Sequence, residues 1–147
     1  MPVRLYLVAE VMTQNPVFVE SEAPLAEADR LMEDHNVRRL PVMEDGRLVG
    51  IISKGDLREA HMAELSTCHP FEPMAEENWL TVAEAMSSPV VTGTPYTPVV
   101  EAAQLMLEHK IGALPVLDAG RLVGILTDTD LIRLLMGEMQ VIEEVAF

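Results

Sequence analysis

The chain has 147 residues, enough for one good core or two small halves sharing one, and 49% of them are apolar with mean hydropathy +0.19, which marks a folded protein. Ten basic against 24 acidic residues give a formal net charge of −14 and a pI near 4.5, which excludes the basic footprint of duplex nucleic-acid binding and disfavours anionic membrane. No apolar run is long enough to span a bilayer, the first ten residues turn acidic too soon for a signal peptide, and a lone Cys68 rules out an internal disulfide framework, so a cytoplasmic location is expected.

In chain order, a short lead gives way to Val8-Ala9-Glu10-Val11-Met12, which restarts at Val82-Ala83-Glu84-Ala85-Met86, an offset of 74 residues (82 minus 8). The offset persists: Pro24 matches Pro98, Leu31-Met32 matches Leu105-Met106, His35 matches His109, and Leu40-Pro41-Val42 matches Leu114-Pro115-Val116. The chain is therefore an internal duplication. Residues 8–65 form the first repeat, 66–81 a Pro-rich linker, 82–137 the second repeat and 138–147 a tail that extends the last helix or docks on a partner.

Each repeat reads as strand–helix–strand–strand–helix. A short strand covers Val17–Val19, or Val90–Thr92. Pro24 or Pro98 then opens a helix from its first position, where the missing N–H costs nothing. Leu25, Ala28, Leu31, Met32 and His35 recur at helical spacing, with Asn36 as a stop; Val99, Ala102, Leu105, Met106 and His109 repeat the pattern. The second strand covers about Arg39–Met43, or Ala113–Leu117. Glu44-Asp45-Gly46 or Asp118-Ala119-Gly120 makes a tight hairpin turn, and the third strand is Leu48–Ile52, or Leu122–Leu126. One repeat is too small to cover both faces of a three-stranded sheet, so an α+β fold is expected in which two three-stranded sheets pack with pseudo-two-fold symmetry. The closing helix at Leu131–Met136 is apolar nearly all round, which predicts a covering second subunit.

The third strand runs into Ser53-x-x-Asp56 in one repeat and Thr127-x-x-Asp130 in the other. This spacing has two compatible readings. One is a capping box, hydroxyl to the N3 amide and carboxylate back to the cap amide. The other adds a ligand: a helix start suits phosphate, and a carboxylate beside it accepts the hydroxyls of a ribose.

Taken together, Met12-Thr13-x-x-Pro16 and Met86-Ser87-x-Pro89, the two Leu-Pro-Val runs, Gly-Arg-Leu-Val-Gly-Ile at 46–51 and 120–125, and the two Ser/Thr-x-x-Asp motifs resemble a CBS-domain pair, also called a Bateman module. The resemblance covers residues 8–137 and implies a stand-alone regulatory pair. It implies two clefts between the repeats that take adenine nucleotides or S-adenosylmethionine. Adenine would lie against apolar strand residues, here Val17 and Pro41. The Asp at the helix start would hold the ribose, the Ser or Thr would approach phosphate, and a disc-shaped homodimer would form.

The repeats differ in charge. The first has Arg38-Arg39 before Leu40-Pro41, and Lys54 after Ser53; the second has Gly112-Ala113 and Asp128 at those places. In nucleotide-sensing members the matching pair is basic and contacts phosphate, a role that suits the planar fork of Arg. The expected phosphate site therefore uses Arg38, Arg39, Ser53, Lys54 and Asp56. The cleft of Thr127 and Asp130 is empty, structural, or takes a less anionic ligand. Alternatively, the two Arg are solvated charges that blunt a strand edge.

His61, Cys68 and His69 match no standard zinc spacing, and the glycines match neither the Walker nor the dinucleotide fingerprint. No general base or triad is evident. The reading is a non-catalytic regulatory module that needs no cofactor and no metal, binds AMP, ADP or ATP as a regulatory ligand, and signals to a protein effector by a conformational or dimer change. The alternatives are a ligand-free dimerisation scaffold and an S-adenosylmethionine-binding pair.

Overall fold

The computed structural model describes residues 5–67 and 80–145, with the backbone course alone for 64–67 and 138–145. The body of the linker, Cys68, His69 and Phe147 lie outside the described residues. The element order is α1 (Val8–Val11), β1 (Thr13–Gln14), β2 (Val19–Glu20), α2 (Leu25–His35), β3 (Arg39–Glu44), β4 (Arg47–Ser53), α3 (Lys54–Thr67), α4 (Val82–Ala85), α5 (Val99–His109), β5 (Ala113–Asp118), β6 (Arg121–Thr127) and α6 (Asp128–Val145). The architecture is α+β with two three-stranded sheets.

Two compact units result, and they cut across the sequence repeats. One contains Val17–Val90; the other joins Met1–Pro16 to Val91–Phe147. Each unit therefore takes its sheet hairpin and long helices from one repeat and its short leading helix from the other.

In the Val17–Val90 unit the sheet order is β2-β3-β4, with β2 parallel to β3 and β3 antiparallel to β4. The hairpin closes on two residues, Asp45 (φ 49°) and Gly46 (φ 77°), the left-handed pair that matches strand twist. Val19, Leu25, Ala28, Met32, Leu40, Val42 and Ile52 fill the core with Val82 of α4. Alternation along β3 and the 3–4 spacing of α2 aim these side chains to one side. Asn36 ends α2 in the left-handed conformation, φ 53° and ψ 47°.

The other unit repeats this plan with a difference. Its sheet order is β1-β6-β5, and its third strand is the leader strand β1, with Thr13 opposite Ile125 and Gln14 opposite Gly124. The strand expected over Val90–Thr92 does not form. Only Gly93 bridges to Val116 there, because Thr94 gives its N–H to Thr97 Oγ1 (3.0 Å) and Pro95 has none to give. In the first repeat the expected Val17–Val19 strand moves to Val19–Glu20, where pairing to Val42 and Met43 begins. Pro24 and Pro98 fall one place earlier than expected: both are extended N-caps (ψ 154° and 140°), and the helices start at the next residue.

The leaders α1 and α4, with β1, are elements that periodicity missed, being too short to show any. Each begins with a local cap: Glu10 Oε2 accepts from the Leu7 amide (2.9 Å), and Glu84 Oε1 accepts from the Thr81 hydroxyl (3.2 Å). The tail continues α6 as far as Val145. Among the described residues no helix is long and apolar enough to cross a membrane.

Candidate ligand-binding site

In the Val17–Val90 unit the β3–β4 ladder brings the predicted residues to one end of the sheet. Arg39 stands opposite Ser53, and the Lys54 amide donates to the Arg38 carbonyl (2.8 Å) as the chain turns into α3. Ser53 Oγ accepts from the Asp56 amide (3.1 Å), and Asp56 Oδ2 accepts from the Ser53 amide (2.9 Å). The capping box is thus formed in full. Arg38 and Lys54 are exposed, while Arg39, Ser53 and Asp56 are half-buried. Three cationic residues and one capped helix start therefore share a small patch of an otherwise acidic chain.

The other two predicted residues sit deeper. Pro41 pairs with Ile51 and is fully buried, and Val17 is half-buried against the unit's core. Both are placed by packing, one by the strand ladder and one by the approach to β2.

The second copy keeps the backbone and inverts the charge. Asp128 donates its amide to the Gly112 carbonyl (3.0 Å), and Ala113 stands opposite Thr127. Thr127 and Asp130 form the same reciprocal pair: Asp130 Oδ2 accepts from the Thr127 amide (2.9 Å), and Thr127 Oγ1 accepts from the Asp130 amide (3.3 Å). Asp130 is buried, and its second oxygen accepts from the Thr13 hydroxyl of the leader (3.4 Å). Beside it lies a hollow of about 420 Å³ that takes in Tyr6, Glu10, Met12, Thr13, Asp130 and Arg133. The hollow holds two carboxylates, Glu10 and Asp130, and one guanidinium, Arg133. The Thr13 contact escaped sequence reasoning, since 117 residues separate the partners; the only trace was the repeated Met-Thr/Ser start.

Among the described residues no three His, Cys, Asp or Glu side chains are placed to hold a metal ion. His61 is an exposed residue of α3.

Two capped helix starts, each following the hairpin of a three-stranded sheet, define a duplicated α+β repeat module. Comparison then names the family. The CBS domain model matches residues 8–63 and 82–137, and the chain belongs to the CBS-domain family. A CBS domain-containing protein of Dictyostelium discoideum is 38% identical over 138 residues, 88% of this chain and 91% of that protein. The CBS domain pair of MJ0100, solved with 5′-methylthioadenosine and S-adenosyl-L-methionine, superposes with a TM-score of 0.77 at 29% identity, covering 92% of this chain and 99% of that one. CBSX2 in complex with AMP gives 0.74 at 30% identity, with 91% and 98% covered. Relatives named as enzymes are matched over only about a quarter of their length.

Proposed function

We propose that this chain is a non-catalytic regulatory module whose Val17–Val90 unit binds an adenine nucleotide of the AMP, ADP or ATP class. One observation carries the reading: the ladder and the turn into α3 set Arg38, Arg39 and Lys54 beside the Ser53–Asp56 helix start, where positive charge, the helix's N-terminal dipole and a carboxylate able to accept ribose hydroxyls are what a nucleotide requires. Solved CBS pairs that bind AMP, or S-adenosylmethionine and methylthioadenosine, support adenine-type ligands. In this reading the Ser53 hydroxyl and the one guanidinium of Arg38 and Arg39 that strand alternation turns to the site hold phosphate, Asp56 holds the ribose, and Val17 and Pro41 border the base.

Thr127 and Asp130 serve a different ligand or none. Gly112, Ala113 and Asp128 stand where the first repeat has its three cations, which disfavours phosphate, and Thr13 already occupies one oxygen of Asp130. A sulfonium or uncharged adenosine compound is the ligand that charge allows there, which keeps the S-adenosylmethionine reading alive for that unit alone.

The module acts as a homodimer in the cytoplasm. Ile132, Leu135 and Met136 of α6 are 58%, 60% and 57% exposed, and two copies of a chain with charge −14 associate best through such an uncharged face. A nucleotide that binds one state of the dimer better than another shifts the population that an effector reads. The test is a thermal-shift series with AMP, ADP, ATP and S-adenosylmethionine. Ligand at 100 to 1,000 times its Kd adds about 2.7 to 4.1 kcal/mol to stability. No shift with any of the four supports the scaffold alternative.

A further inference from the structure

Met12 and Met86 hold equivalent places in the two units, and each fills a hole left by a glycine. A Cβ built on Gly124 would overlap the Met12 sulfur, and one on Gly50 would overlap the Met86 sulfur. The same added atoms would lie 3.0 Å from the Thr13 carbonyl oxygen and 3.1 Å from that of Ser87. The thioethers are thus pressed against the strand where it meets the leader. Next to each methionine the leader meets its sheet through backbone bonds: Ser87 and Ile51 exchange a pair (2.8 and 3.1 Å), Thr13 and Gln14 pair with β6, and the Asn15 amide donates to the Val123 carbonyl (3.2 Å); farther back, the Val8 and Ala9 amides and the Val82 and Ala83 amides anchor the leading helices.

Solvent reaches both sulfur-bearing side chains. Met12 and Met86 are half-buried, whereas Met32 and Met106 in the helical cores are 1% and 5% exposed. Met12 also borders the open hollow beside Asp130. The thioether is a soft nucleophile that accepts one oxygen atom from a peroxide.

We propose that Met12 and Met86 are paired, reversible oxidation sites through which hydrogen peroxide unlatches each leader from the sheet it closes. The sulfur attacks one peroxide oxygen and forms the S–O bond, the O–O bond breaks, and the other oxygen leaves as water; sulfur loses two electrons and peroxide gains them. The new oxygen is a strong acceptor on what was an apolar contact. β6 is already paired with β5 and β1, and β4 with β3 and Ser87, so the neighbouring backbone is committed to the ladders. The sulfur, the adjoining methylene and the leader carbonyl already crowd the space over each glycine, so a bulkier sulfoxide has nowhere to sit unless the leader moves. In the Asp130 unit that movement withdraws Thr13 and exposes the carboxylate. Met62 and Met136, 63% and 57% exposed, oxidise as well, with their side chains largely in solvent. The proposal does not rest on the nucleotide reading.

The test is amide hydrogen exchange on the full chain, with peptide mapping of sulfoxide, before and after hydrogen peroxide. Exchange in residues 7–16 and 82–89 should rise at least tenfold as sulfoxide appears at Met12 and Met86. It should return to its starting rate after a thiol-driven methionine sulfoxide reductase. A Met62→Leu/Met136→Leu variant should loosen as the parent does, and a Met12→Leu/Met86→Leu variant should not respond. The proposal is overturned if sulfoxide at Met12 and Met86 leaves exchange unchanged. It is overturned equally if both resist peroxide that converts Met62 and Met136 completely, or if loosening persists in Met12→Leu/Met86→Leu. Should that last variant not fold, reversal by the reductase in the parent chain decides.

Discussion

Replacing Ser53 with Ala, and Thr127 with Ala in a parallel variant, separates the two roles that one motif can play. Each hydroxyl accepts one amide of the first helical turn, at 3.1 Å from Asp56 N and 3.3 Å from Asp130 N. Loss of such a cap costs about 1 kcal/mol, within a range of 0.5 to 2. For a chain of this length that is a fall in Tm of about 2 to 4 °C. Because both hydroxyls make the same local bond, the two variants should lose similar stability. Ligand binding should divide them. A hydrogen bond to a charged group contributes about 1.5 to 3 kcal/mol, so Ser53→Ala should weaken AMP binding by about 10- to 150-fold. Thr127→Ala should change it less than about threefold, since a 1 kcal/mol loss of folding stability leaves nearly all molecules folded. Calorimetric titration with AMP beside a thermal scan reads both quantities. Equal affinity losses in the two variants would refute the reasoning, for the effect would then travel through the fold and not through contact with phosphate.

Three further outcomes follow from the same geometry. Gly50→Ala and Gly124→Ala each force a methionine and a leader carbonyl aside, at about 1 to 3 kcal/mol by denaturant titration, whereas Gly137→Ala, with open space around it, should lose no stability. Lys110, which ends α5 at φ 55°, is replaced by glycine with a gain in stability of up to about 1 kcal/mol, read as a raised midpoint; a loss would contradict the strain assigned to this cap. Leu135→Asp puts a charge on the exposed face of α6 and should convert dimer to monomer in sedimentation while far-ultraviolet circular dichroism stays unchanged; a dimer that persists places the contact elsewhere.

The repeats were legible because duplication prints every landmark twice. Helices α2 and α5, the Asp45-Gly46 and Ala119-Gly120 turns and the capping boxes all follow from local rules of spacing and φ, which a sequence displays directly. The leader strand was illegible for a physical reason. Thr13–Gln14 pairs with a strand more than a hundred residues away and has no periodicity of its own. Its only sign was indirect: a glycine within an apolar strand, at 50 and at 124, which often marks close approach by another part of the chain. At the candidate site, the ladder pairing of Arg39 with Ser53 follows once the hairpin turn is known, while the Thr13–Asp130 contact depends on that unreadable leader.

One titration tests the nucleotide site most directly: AMP against Arg39→Ala/Asp56→Ala and against Thr127→Ala/Asp130→Ala. Two lost charge-assisted contacts, each worth about 1.5 to 3 kcal/mol, should weaken binding at least about 100-fold in the first pair, with the second pair close to the parent chain. Equal losses in the two, or AMP affinity carried by the Thr127–Asp130 unit, would contradict it.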